Sequence, residues 1–144
     1  MLVAGVGALL LLAAAQPAWA GTEVSIQVTV VHASHAGKRV DPALKDLQRQ
    51  LEDFGFTSYV LEDQRKLTLK LKAPGEVPLP GGRVLTVTPV AREPDGRLKI
   101  RVAIGPKKIL DTTVIVEPGG TFIIGGPKYE GGVLMIAVSH LAAR

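Results

Sequence analysis

The chain has 144 residues, a formal net charge of +4 and no cysteine. Without cysteine it has no disulfide, no thiol nucleophile and no cysteine-based metal site. The excess of 17 basic over 13 acidic side chains is small for a nucleic-acid binder, and three Phe, two Tyr and one Trp are too few for a base-stacking surface. We therefore expect no nucleic-acid partner.

Residues 1–20 match a secretory signal peptide. Leu9–Ala15 lies in an apolar run, and Ala18-Trp19-Ala20 has the small-x-small pattern that precedes cleavage. Cleavage after Ala20 predicts an exported protein, periplasmic or extracellular. A retained membrane anchor is the alternative, although the run before Gln16-Pro17 is shorter than a full span and no Lys or Arg precedes it.

The first strand of the exported part is predicted at Val24–Val31, where apolar and polar residues alternate. Asp41 then caps the one convincing helix, Pro42–Phe54, because Asp accepts from free amide groups and Pro fits the first helical position. Gly55 is the expected stop. The helix should lay an apolar stripe on a sheet, formed by Leu44, Leu47, Leu51 and Phe54.

Two further strands are predicted at Thr57–Leu61 and Lys66–Ala73, with a turn at Gln64-Arg65 between them. In the second of these strands leucines alternate with lysines, so that the leucines face inward and the lysines face water. Pro74–Pro80 is interpreted as a proline-rich connector or an edge segment, because Pro cannot donate a hydrogen bond to a strand ladder.

The C-terminal half shows one pattern twice: Pro-Gly-Gly, strand, turn, strand. One copy runs from Pro80 to Val102 and the other from Pro118 to Val138. If this is a true repeat, the two hairpins occupy equivalent places in the sheets. The alternative is that turn chemistry alone selects the same Gly and Pro residues.

The last strand, Val133–Val138, is apolar on both faces and should therefore be covered on both sides. It is then either a central strand or a contact with another protein surface. Together the segments predict a mainly β (α+β) fold, a two-layer β-sandwich-like domain over residues 21–144 with a single amphipathic helix near its N-terminus. The candidate core or interface hairpin carries Phe122, Ile124, Val133, Met135 and Ala137.

Residues with catalytic or metal-binding chemistry are few. His32 and His35 form an HxxH pair, but zinc sites need three or four converging ligands, and no carboxylate stands at a recognisable spacing from them or from His140. Ser34 beside His35 does not make a catalytic triad, and Glu62-Asp63 reads as a solvated turn. We expect no catalytic residue, no metal, no cofactor and no enzymatic activity.

Basic residues on alternating strands form a candidate anion-binding face, provided that the strands share a sheet. The functional interpretation is contact with an anionic envelope polymer, lipid headgroups or an acidic partner. The alternative is a solvated sheet face whose lysines discourage edge pairing. The residues are Lys66, Lys70, Lys72, Arg97, Lys99 and Arg101.

Residues Val114–Gly126, VIVEPGGTFIIGG, resemble the Gly-x-Thr-x-x-Ile-Gly-Gly stretch of the secretin family, the outer-membrane rings of secretion systems and type IV pili. The matching residues are Gly119, Thr121, Ile124, Gly125 and Gly126. Leu134–Ser139 is similar to the apolar strand that follows in those proteins, whereas Pro127 and His140 depart from the pattern. The resemblance implies a role in envelope assembly.

Three hypotheses about function follow. The first is a non-enzymatic envelope protein, an interaction or assembly component of a secretion or pilus-like system that binds an envelope protein or a second copy of itself. The second is a binding module for an anionic envelope ligand. The third, a metal-dependent enzyme, has the least support. We expect no transmembrane helix after removal of the signal peptide.

Overall fold

The computed structural model describes residues 23–141, and the predicted signal peptide lies outside them. Eight strands and one short helical segment make up this part of the chain. The strands are β1 (Glu23–Ser34), β2 (Ser58–Lys70), β3 (Gly75–Leu79), β4 (Arg83–Arg92), β5 (Leu98–Gly105), β6 (Leu110–Val116), β7 (Thr121–Tyr129) and β8 (Gly132–Leu141).

The strands form two four-stranded antiparallel sheets. Sheet A has the order β2-β1-β8-β7, and sheet B has the order β3-β4-β5-β6. The sheets pack face to face, which confirms the predicted mainly β sandwich. The edge strands β2 and β3 contact each other on one side of the sandwich, and β6 and β7 contact each other on the opposite side.

The main core lies between the sheets and follows from period-two alternation along the strands. In β1, every second residue from Val24 to Val30 points into it, and sheet B contributes alternate residues from β4, β5 and β6. Burying each such side chain stabilises the fold by about 1.5–3 kcal/mol relative to leaving it exposed. Fully buried members include Ile26, Val28, Leu85, Leu98, Ile100, Ile104 and Ile136.

A second, smaller core lies on the other face of sheet A, beneath the helical segment. This segment consists of a 3₁₀ helix, Pro42–Leu47, followed by α1, Gln48–Glu52. Asp41 caps it as predicted, since its Oδ1 accepts a hydrogen bond from the Ala43 amide at 3.1 Å. Leu44 and Leu51 are fully buried against Val31, Ala33, Tyr59 and Met135.

The helix prediction is wrong in its length and in its last apolar residue. The helix ends at Glu52 rather than at Phe54, and the chain turns into Gly55, which has a φ of +82°. Phe54 therefore lies past the final helical turn, where 43% of its surface is exposed. It does not join the buried stripe with Leu44 and Leu51.

The predicted turn at Gln64-Arg65 is also wrong. β2 is one continuous strand that pairs with β1 along its whole length, with a bulge at Glu62 between the partners of Val30 and Val31. Charged residues are tolerated in this strand because it is an edge strand with one solvated face. The segment around Gln64-Arg65 therefore has the polar composition of a turn but lies within a strand.

The two C-terminal hairpins do not occupy equivalent places. β4 and β5 are both central in sheet B, whereas β7 is an edge strand of sheet A and only β8 is central. The prediction that the last strand is covered on both sides is confirmed by β8, whose faces lie in the two cores.

The proline-rich connector contains β3, an edge strand. Within residues 23–141, no helix is both long and apolar enough to cross a bilayer.

Candidate functional site

The three histidines lie in three different environments. His32 has its Nε2 2.9 Å from the Tyr129 carbonyl oxygen, and its ring meets the Tyr129 ring edge-on. The His35 ring packs on Phe56 with centroids 5.0 Å apart. In the part of the chain that the structure describes, no group of three or more His, Asp and Glu residues is arranged to hold a metal.

His140 is a buried structural residue at the end of β8. Its amide donates to the Gly120 carbonyl and its own carbonyl accepts from the Gly119 amide, so that it fixes the turn leading into β7. Burial lowers the pKa of His140; the Val116 backbone partly opposes this, and the positive charge of Arg92 adds to the lowering. Its buried Nδ1 has no hydrogen-bond partner within residues 23–141.

The other sequence candidates for chemistry have local roles. Ser34 Oγ accepts a hydrogen bond from the Ala36 amide at 3.3 Å, which is turn chemistry. Asp63 forms an ion pair of 2.9 Å with Arg65 two residues along β2. Glu62 is the exposed residue of the bulge.

The candidate basic face is divided between two sheets. Lys66 and Lys70 lie on β2 in sheet A, and Lys72 follows in the turn to β3, whereas Lys99 and Arg101 lie on β5 in sheet B and Arg97 immediately precedes it. The condition that the strands share a sheet is not met. The six side chains therefore do not form one continuous positive face.

Two of the guanidinium groups near β5 are paired with carboxylates of the same chain. Arg101 makes a bidentate contact with Asp111 at 2.9 and 2.6 Å, which lowers the pKa of Asp111 and raises that of Arg101. Arg97 lies 2.8 Å from Asp95, whose pKa is lowered mainly by a hydrogen bond from the Arg97 backbone. An anionic ligand would have to compete with these carboxylates.

The candidate hairpin is mostly core, with one exposed residue. Ile124 lies in the main core, Met135 in the second core, and Val133 packs against the second core. Ala137 is also buried, whereas Phe122 is 43% exposed. The exposed part of this hairpin is therefore the outer edge of β7.

Along β7, residues whose backbone groups bond to β8 alternate with residues whose backbone groups point away from β8. His140 donates to the carbonyl of Gly120, and the register then places Phe122 opposite Val138 and Ile124 opposite Ile136. Bonded positions alternate along an antiparallel pair. The amide and carbonyl groups of the intervening residues therefore point away from the sheet, and these residues are Thr121, Ile123 and Gly125.

Two grooves flank the free edge of β7. The groove on the helix side has a volume of about 280 Å³ and is lined by Gln50, Asp53, Phe54, Thr121, Phe122 and Ile123. The groove on the sheet B side has a volume of about 250 Å³ and is lined by Ile115, Val116, Glu117, Gly120, Thr121 and Phe122. Both grooves are open to solvent along the same strand, so that a segment placed beside β7 would reach both.

Each groove has one carboxylate among uncharged lining residues. It is Asp53 on the helix side and Glu117 on the sheet B side. Neither carboxylate forms an ion pair within residues 23–141. Both lie at the end of β7 that begins with Thr121. The exposed Lys128 lies near the other end of the strand.

The other edge of sheet A has a different character. β2 exposes Lys66 and Lys70 along its length, together with the Arg65 side chain. Lysine on an edge strand discourages further strand pairing. From Thr121 to Pro127, by contrast, β7 has no charged side chain. The two edges of one sheet are thus protected unequally.

No protein-family profile, curated protein or solved structure matches the chain. The site is therefore defined by its own geometry. Of the residues that line the grooves, Phe122 was predicted from the sequence as part of the candidate hairpin, whereas Phe54 was assigned to the buried stripe of the helix. No role was predicted for Asp53, Ile115 or Glu117. The position of Phe54 directly before the helix-ending glycine is a signal that it could lie past the last turn.

Proposed function

We propose that this protein is a non-enzymatic, exported assembly component of the cell envelope that joins its neighbours through the free edge of β7. The observation that carries the proposal is the unequal protection of the two edges of sheet A. β2 carries exposed lysines, whereas β7 presents outward-pointing backbone groups beside the exposed Phe122. An unguarded apolar edge is an aggregation hazard unless something binds it.

The surroundings of β7 support binding rather than chance exposure. Phe54 and Phe122 line the same groove, and both are 43% exposed. Ile115, at the end of β6, lines the second groove and is 44% exposed. Three large, partly exposed apolar side chains thus line the two grooves beside one strand edge. Clustered exposed apolar surface is a mark of interaction sites in soluble proteins.

The sequence supports an envelope role independently of this geometry. Its N-terminal residues have the pattern of an export signal, and Val114–Gly126 resembles the secretin stretch. That stretch forms the end of β6, the following turn and the first six of the nine residues of β7. The same segment therefore carries both the resemblance and the unguarded edge, and this agreement favours assembly over the alternative of an anionic ligand.

The test is site-specific photo-crosslinking in cells that express the full chain. A benzophenone amino acid replaces Phe122 in one variant and Ile109 in a control variant. Ile109 is also 43% exposed but precedes β6, at the end of that strand far from the β6–β7 turn. We expect a discrete envelope-fraction adduct from position 122 and little from position 109.

Equal adducts from both positions, or none from position 122, would contradict the proposal, because an assembly edge has to be in contact with its neighbour. Fractionation of the same cells tests export. A product that stays in the cytoplasm would also contradict the envelope role.

A further inference from the structure

We infer that the neighbour at β7 is a second copy of this chain, paired antiparallel about a two-fold axis between the two Ile123 residues. The inference rests on the proposed function and names its partner. It follows from the backbone pattern of β7, the shape of the flanking grooves and the distribution of charge along the strand.

The outward-pointing backbone groups of β7 are complementary to those of a second copy. A two-fold axis at Ile123 sets Ile123 opposite its own copy and Thr121 opposite Gly125 of the second copy. These are the residues whose amides and carbonyls point away from β8. In an antiparallel ladder, directly opposed residues of this kind exchange both hydrogen bonds. In this register each of the three outward-pointing residues, Thr121, Ile123 and Gly125, has a partner in the second copy.

One acceptor on this edge already has a contact. Gln50 Nε2 donates to the Thr121 carbonyl oxygen at 3.3 Å. A carbonyl oxygen has two lone pairs and can accept a second hydrogen bond. The Gln50 contact also shows that the Thr121 carbonyl points to the outside of the sheet, as the alternation requires.

The side chains beside the edge fit the same arrangement. Phe54 projects near the Thr121 end of β7, whereas the other end has Gly125, around whose Cβ position there is open space. Antiparallel pairing places Phe54 of one copy toward Gly125 of the other, where no side chain stands in the way. The exposed surface of Phe54 then becomes buried without a clash.

Charge selects the antiparallel orientation. Asp53 and Glu117 lie near the Thr121 end of the edge, and the exposed Lys128 lies beyond the Gly125 end. Antiparallel pairing brings the acidic end of each copy toward Lys128 of the other. Parallel pairing would place the carboxylates of the two copies side by side, and like charges across an interface oppose association.

The assembly closes at two copies. Pro127 has no amide hydrogen and lies in a bulge with Gly126 opposite Leu134, so that the pairing edge ends there. The joined sheet has the order β2-β1-β8-β7 in each half, and both of its outer edges are the lysine-bearing β2. In an isologous interface each copy contributes its β7 edge to the same contact. No β7 edge then remains to which a third copy could add and extend a fibre.

The first experiment is sedimentation equilibrium of the purified mature protein over a wide concentration range. We expect a monomer–dimer equilibrium. Gly125→Lys should weaken dimerisation at least about tenfold, because it places a charge in the edge; the open space at Gly125 lets the monomer accept the side chain. The matched control is Thr68→Lys, which adds the same charge to the opposite edge strand of sheet A and should leave dimerisation unchanged.

The second experiment tests the register by introducing single cysteines. Because the chain has no native cysteine, any disulfide must form between the introduced residues. Ile123→Cys should form a disulfide-linked dimer under mild oxidation, because directly opposed bonded residues lie about 5.5 Å apart between Cα atoms. Thr121→Cys should not, because its two copies are about 14 Å apart along the strands. Circular dichroism checks that both variants fold.

A monomer at all concentrations would overturn the inference, as would a dimer that ignores Gly125→Lys or links equally well through positions 121 and 123. These failures differ from failure of the proposed function. A monomeric protein that still gives a position-122 adduct of another protein's mass in the envelope would keep the assembly role and exclude the second copy as the partner.

Discussion

Met135 and Ile136 are neighbours in the chain, yet their side chains lie in different cores on the two faces of β8. Ile136 packs between the sheets opposite Val30, whereas Met135 packs beneath the helical segment opposite Val31. Both are almost fully buried. This is why the strand has no polar alternation: sheet B covers one face and the helical segment covers the other.

The two positions should therefore respond differently to truncation. Ile136→Ala removes packing from the sandwich itself and should lower the free energy of unfolding by about 2–5 kcal/mol. Met135→Ala should also destabilise, but mainly by loosening Pro42–Glu52, which covers that face. Hydrogen exchange separates the effects, since Met135→Ala should speed exchange in the helical segment more than in β5. Equal acceleration in both segments would contradict a separate second core.

The hydroxyl of Tyr59 joins the end of the helix to the sheet. It donates to the Leu51 carbonyl oxygen at 2.7 Å and accepts from the Phe56 amide at 3.1 Å. Tyr59→Phe keeps the ring but removes both bonds, so we expect a loss of about 1–3 kcal/mol in a urea titration. The control is Tyr129→Phe on β7, whose hydroxyl makes neither of these bonds. Equal losses would show that the Tyr59 hydroxyl has no special role.

Stability should fall in mild acid because of His140. Burial lowers its pKa below the ordinary value of 6.5, so the unfolded chain binds the proton more readily than the folded one. The stability that comes from keeping His140 neutral is fully present above about pH 6.5. It is lost as the pH falls toward the lower pKa that His140 has in the folded protein. Urea titrations at several pH values should show this fall. His140→Gln should flatten it; a wild-type profile that stays flat below pH 6.5 would be inconsistent with the burial of His140.

The hairpin turn between β7 and β8 depends on the small size of Gly132. A Cβ at this position would overlap the Ala33 carbonyl oxygen on the neighbouring strand. Gly132→Ala should therefore destabilise by about 1–3 kcal/mol or more, because backbone atoms cannot move aside as a side chain can. Gly125→Ala is the matched control, since the space at that position is open. Thermal unfolding of the two variants should differ clearly in midpoint.

Alternation and capping explain what the sequence could predict. Val24 to Val30 face the core in period two, and Asp41 caps the helix where its side-chain chemistry requires. The apolar run around Met135 correctly indicated a strand covered on both faces. These features are local, because each depends on residue type and spacing within one element.

The features that could not be predicted depend on which strands become neighbours. Gln64-Arg65 resembles a turn, and only its pairing with β1 shows that it is part of a strand. Lys70 and Arg101 lie on similar alternating strands, and no local pattern assigns these strands to different sheets. The grooves beside β7 could not be predicted for the same reason, since Phe54, Ile115 and Phe122 come from three segments that meet only in the folded domain.

The most direct test of the β7 edge is amide hydrogen exchange of Thr121, Ile123 and Gly125, resolved by nuclear magnetic resonance at low and high protein concentration. The alternation predicts that the amides of Phe122 and Ile124 are protected at both concentrations. Those of Thr121, Ile123 and Gly125 should exchange fast in dilute solution and become protected as copies associate. Slow exchange of these three amides in dilute protein, or fast exchange in a sample shown to be dimeric, would contradict the account.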